Sequence, residues 1–173
     1  MLGAVALLLV VAVVALIASW DHEVDESAQQ WADRAGASVH RTVVSLRSSY
    51  PAGSPLSDES RLRSALGEIE GVRVLRSQTR PDGSVELELS LVERQSLNAF
   101  VGRDFVACAR ITTEPVRDAP EGRPRGAVTT TDLPCPPAAQ FGDGLSADSV
   151  APDDAVTAAV PERTDLVPFT PAP

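Results

Sequence analysis

Lysine is absent from this 173-residue chain, and histidine, cysteine and aromatic residues are scarce. All 15 basic residues are arginine; 24 acidic residues oppose them, for a net charge of −9. An acidic chain with no clustered basic stripe is excluded as a nucleic-acid binder, because counterion release at phosphates needs grouped Arg or Lys. The only histidines, His22 and His40, lie on one expected helix, about 27 Å apart along its axis. They cannot share a metal, and solvation on the helix surface is the role expected of both. Walker and Rossmann glycine fingerprints are missing. No cofactor, metal site or catalytic constellation is therefore expected, and the chain does not read as an enzyme. Aromatics make up 4% of the chain, which limits it to a small aliphatic core of the kind that usually needs a covalent staple.

The charge that is missing from the start of the chain is its most informative feature. From Leu2 to Ala18 every side chain is Leu, Val, Ile, Ala or Gly, and Trp20 closes the run. At 1.5 Å per helical residue this stretch reaches about 28 Å, close to the hydrocarbon thickness of a bilayer. Lipid forces the backbone to satisfy its own hydrogen bonds, so residues 1–20 are expected to form one transmembrane signal anchor, with Trp20 at the membrane interface. The alternative, a cleaved signal peptide, lacks its basic start, and positions ending at Ala18 or Ser19 place Leu16 or Ile17 where a small residue belongs. Orientation is signalled two ways. Arg34 is the first basic residue and points inward by the positive-inside rule, whereas a cysteine pair and the form of a signal anchor point outward. An extracytoplasmic C-terminal domain on the cytoplasmic membrane is the expectation, and an upstream basic start would reconcile the two signals.

Beyond Trp20 the pattern turns amphipathic. Val24, Ala28, Trp31, Ala35, Val39, Thr42 and Leu46 recur at spacings of three and four, a stripe along a stalk helix within residues 21–50. The stripe has two destinations: the chain's own domain, or a partner helix, through self-association or an envelope protein. Pro51 and Gly53 end the helix. Residues 56–135 then read as a small α+β domain. Ser57-Asp58-Glu59 signals a second short helix with Leu62, Ala65, Leu66 and Ile69 on its inner face and Gly71 beyond it. A strand over 72–75, turn chemistry at Arg80-Pro81-Asp82-Gly83 and a strictly alternating strand over 85–91 predict a hairpin. In that alternation Glu86 and Glu88 occupy the wet face and do not read as an acid–base pair. Residues 93–102 are ambiguous, 103–114 predict a third strand, and 126–131 a fourth, on the sheet edge. The resulting antiparallel sheet has three to four strands.

Cys108 and Cys135 are the only cysteines, and on an exported domain they predict a disulfide; two separate thiols are the alternative. Antiparallel pairing of strands three and four brings Cys108 close to residues 131–135. From Pro136 the composition shifts. Seven of the last 38 residues are proline, six are acidic and one, Arg163, is basic. Residues 136–173 therefore read as a disordered acidic tail. Asp143, Asp148, Asp153 and Asp154 fit no calcium-loop spacing.

Anchor, hairpin, cysteine pair and Pro/Ala/Asp-rich tail together resemble the layout of small single-pass exported proteins of high-GC Gram-positive bacteria. That resemblance implies a cell-envelope address. The apolar helix that continues as an amphipathic one, followed by a sheet and a disulfide, also resembles type IV pilin-like subunits. Gly3 stands where a processing glycine would, but Leu7 and Leu8 occupy the positions where that family has a glutamate, and the basic leader is absent. The function expected is a binding, accessory or scaffolding role in the envelope. A pilin-like structural subunit and an envelope enzyme, with a pocket gathering Glu93, Asp104 or Arg110, are the alternatives.

Overall fold

A computed structural model of the chain describes residues 2–49, 59–96, 102–114, 125–136 and 155–168. Helix α1 (Leu2–Ser48) runs without interruption from the apolar segment through the amphipathic one. Helix α2 (Glu59–Gly67) follows, then strands β1 (Val72–Thr79), β2 (Val85–Ser96), β3 (Gly102–Thr113), β4 (Arg125–Asp132), β5 (Val156–Thr157) and β6 (Arg163–Pro168). The class is α+β, with both helices on one face of a sheet ordered β1-β2-β3-β4-β6 and β5 added alongside β3. The side chains of most of residues 1–18 lie outside the described set; among the described residues, no helix is long and apolar enough to cross a membrane.

The alternation that predicts β2 sets the core. Val85, Leu87, Leu89 and Leu91 are buried, and in the antiparallel register they stand beside Thr113, Ile111, Ala109 and Ala107 of β3, which are buried too. Trp31 of α1 lies over this layer with its ring centroid 6.0 Å from that of Phe105. Leu62 and Leu66 of α2 join the same core, with Ile69 packed against it. The opposite face of β2 carries the glutamates, and they are not simply wet. Arg110 meets Glu86 at 3.1 Å and Glu88 at 3.0 Å, and Arg80 pairs with Glu86 as well. Cys108 and Cys135 form the predicted disulfide, with Cα atoms 5.2 Å apart. Cys108 pairs in register with Ser90, on the face away from the helices, and Leu133 N donates to Cys108 O.

Two expectations are corrected at the sheet edge. The fourth strand is interior, because β6 pairs antiparallel along β4 from Arg125↔Pro168 to Thr130↔Arg163. The sheet therefore has six strands instead of three or four, and the segment read as a disordered tail is ordered over 155–168. The physical reason is that a few residues suffice: Ala158, Val160 and Val167 enter the core, and the backbone of β6 is satisfied by a strand already in place. Residues 137–154, which carry Asp143, Asp148, Asp153 and Asp154, and residues 169–173 lie outside the described set. The ambiguous segment from Glu93 to Ser96 continues β2.

Two local features lock the layers. Gly71 has φ +76°, and a Cβ there would fall on the carbonyl oxygen of Val92, whose N–H donates to Gly71 O at 2.8 Å. Gly71→Ala is expected to destabilise the domain by about 2–4 kcal/mol, from left-handed strain plus backbone displacement, measured as a lower urea midpoint at unchanged slope. At the β1–β2 turn Asp82 Oδ1 accepts from Ser84 Oγ at 2.6 Å and Ser84 N at 3.0 Å, which holds its carboxyl below the ordinary carboxylate range. The turn's contribution is therefore complete above that ordinary range and is lost as pH falls through the lowered value.

Candidate functional site

The buried face of α1 is wider than the predicted stripe and is centred one position further on. Val24, Ala28, Trp31 and Val39 are buried, and Ala35 and Leu46 pack against the core half-buried. Ala32, Gly36, His40, Val43 and Arg47 are buried beside them. The stripe proposed as partner-facing is thus taken up by the chain's own core, the first of its two destinations. Small residues allow the close approach. A Cβ on Gly36 would sit 2.5 Å from Val160 Cγ1, so the Val160 side chain rests directly on the helix backbone at Gly36.

His40 departs furthest from expectation. It is 2% exposed instead of solvated, because β6 closes over it. Its Nδ1 lies 2.8 Å from Thr130 Oγ1 and its Nε2 3.1 Å from Asp165 Oδ2. With the proton on Nε2, the imidazole donates to the carboxylate and accepts from the hydroxyl, so every polar atom of the ring is satisfied. An acid, an imidazole and a hydroxyl in series have the order of a hydrolase triad. Here Thr130 is 0% exposed, so no substrate reaches the hydroxyl and the arrangement acts as a fastening. His22, by contrast, is exposed as predicted. Two turns before His40, Asp33 pairs with Arg163, and Gln29 Nε2 donates to Ala159 O at 2.7 Å. The lone basic residue of the C-terminal segment thus meets a helix carboxylate. At the far end of the helix Arg47 Nη2 donates to Glu114 O at 2.6 Å, and burial lowers the Arg47 guanidinium to about 10.

A groove of about 870 Å³ opens on the other flank of α1. Its helix wall presents Trp31 and Arg34, and the turn between α2 and β1 supplies Ile69 and Glu70. Arg73 of β1 and Leu91, Glu93 and Arg94 of β2 complete it. Three features of the chain place it there. The helix lies over β3, β4 and β6, α2 covers β1, and β2 runs on past the start of β1, leaving a trough between them. Of the residues proposed for an enzyme pocket, Glu93 lines the groove, whereas Asp104 and Arg110 lie on the opposite sheet face, paired in register with Arg94 and Glu88. Arg94 Nε stands 3.9 Å from Asp104 Oδ1. Sequence periodicity marks Trp31 and Leu91 as core, but the meeting of α1, the α2–β1 turn and the end of β2 around one groove has no signature in the sequence. Among the described residues no cluster of three or more His, Cys, Asp or Glu could hold a metal ion.

No protein-family model matches the chain, and no curated protein or solved structure matches it.

Proposed function

We propose that the chain is a membrane-anchored extracytoplasmic domain with a binding, accessory or scaffolding role in the cell envelope, and that α1 is both its anchor and the spine of its fold. The observation that carries this reading is the contrast between the two halves of one helix. From Val24 to Arg47 it is seated on the sheet, whereas Val11, Val14 and Trp20 are 57%, 60% and 62% exposed, continuous with an uncharged sequence. Large apolar side chains left in a row outside a folded domain call for an apolar environment, and a run of this length suits a bilayer. The disulfide supports an oxidising compartment.

A second reading, the pilin-like structural subunit, is favoured by the same helix: an apolar half projecting from a half packed on an antiparallel sheet would let copies bundle through their shafts. It predicts a processed N-terminus, and mass spectrometry finding the chain intact from Met1 would dismiss it.

The leading reading is tested by labelling intact cells with a membrane-impermeant maleimide, with and without prior reduction, and again after lysis. Labelling that appears on intact cells only after reduction is the expected outcome. Labelling that needs lysis but no reductant would place free thiols in the cytoplasm and overturn the assignment.

A further inference from the structure

We infer that the outer edge of β6 is a docking edge for an extended, basic segment of another protein, which adds to the sheet as its next strand. The inference rests on the binding role proposed above and adds the kind of partner. Among the described residues the sheet ends at β6, whose strand neighbour is β4. Alternate residues of such a strand turn N–H and C=O outward, and another extended backbone is what matches that row. Sheet edges are ordinarily blunted by bulges, charged side chains or a covering element. The opposite edge, β1, has all three: a register break between Val74 and Arg76, the arginines Arg73 and Arg76, and α2 lying against it. The register of β6 along β4 is unbroken, and its one cation, Arg163, is withdrawn to Asp33 on α1.

Two side chains say what the partner carries. Leu166 is 63% exposed, and among the described residues it is the one large apolar side chain that the sheet leaves in the open. It stands in register with Ala127 on the face away from the helices, so the added strand needs apolar residues on that face. Asp165, on the helix face, has a side chain 59% exposed, and His40 engages its Oδ2. A basic residue set across from Asp165 meets the rest of that carboxylate. Glu162 is exposed just before the strand, and the net charge of −9 draws a basic segment at long range. A second copy of the chain suits the edge less well. β6 runs in the direction of α1, because Arg163 meets Asp33 and Asp165 meets His40. Antiparallel pairing of two β6 edges would point their anchors in opposite directions, and a parallel pair about a two-fold axis would set N–H against N–H.

The test uses the full chain in maltoside micelles, with affinity read by fluorescence anisotropy and backbone protection by hydrogen exchange and mass spectrometry. The probe is the amidated heptapeptide Val-Thr-Val-Arg-Val-Thr-Val, labelled with fluorescein at its N-terminus. One twin carries Glu in place of Arg, and the other is N-methylated at every backbone amide. The arginine peptide is expected to slow exchange over 163–168 and leave 72–79 unchanged. It is expected to bind about fivefold more tightly than the glutamate twin, and the N-methylated twin not to bind. Leu166→Lys is expected to weaken binding several-fold. Asp165→Asn, which keeps an acceptor for His40, is expected to remove the preference for Arg over Glu. Leu166 is exposed, and an unchanged circular dichroism spectrum confirms that each variant is folded. No protection over 163–168, equal binding of the N-methylated twin, or binding untouched by Leu166→Lys would each overturn the assignment. Protection over 163–168 that rises with protein concentration in the absence of peptide would put a second copy on the edge and overturn it as well. The maleimide result is separate: labelling confined to lysed cells refutes the address, and loss of peptide binding refutes the docking edge.

Discussion

Ending the chain at Asp154 is expected to abolish the cooperative unfolding transition of the domain, although the removed segment is only 19 residues, four of them proline. The deletion takes β5 and β6 away and uncovers Gly36, His40 and Val128 at once. Loss of the buried Val160 and Val167 removes roughly 1.5–3 kcal/mol each. The imidazole of His40 and the hydroxyl of Thr130 lose their closed network with Asp165, which adds about 1–3 kcal/mol. The sum, roughly 4–9 kcal/mol, is comparable to the whole stability of a typical domain, about 5–15 kcal/mol. Urea titration followed by circular dichroism checks it, with Asp165→Ala in the full chain as the milder case. A truncated chain that unfolds like the full one would mean that residues 155–168 are dispensable.

Removing the disulfide comes next in size. Cys108 and Cys135 are 27 residues apart, and in the chain-entropy model opening that loop costs about 3.5 kcal/mol. Cys108 is fully buried and Ser90, beside it in register, is 1% exposed, so the double Cys→Ala variant adds a small packing loss to the entropic one. The expected result is a lower urea midpoint in the double variant, reproduced in the parent protein by reductant. A midpoint unmoved by either change would show that the 133–136 segment is held by other contacts.

These two effects also mark what the sequence discloses. Strict alternation from Val85 to Leu91 is local, so β2, its hairpin with β1 and the side of the sheet that meets the helices were all legible. The pairing of β3 with β4 was legible through the cysteines. The continuity of α1 to Ser48 followed from spacing, although its true centre, between the stripe and the Ala32–Gly36–His40 row, was hidden by treating small and polar residues as outward. Strand β6 was illegible for a different reason. It has no alternation strong enough to declare itself, and its stability comes from a ready edge on β4 and from Arg163 and Asp165 meeting Asp33 and His40, residues more than 120 positions away. The groove shares that property: Trp31, Ile69 and Leu91 line one trough only after the chain has folded.

The segment from Ala159 to Asp165 lies along α1 from Gln29 to His40, so the first element made and the last are fastened to each other across 125 to 130 positions of a 173-residue chain. Hairpins β1–β2 and β2–β3 can form as they are synthesised, but the helix has no complete seat until the final strand arrives. During synthesis α1 accordingly lacks part of its seat until residues 159–167 are available to pack on it.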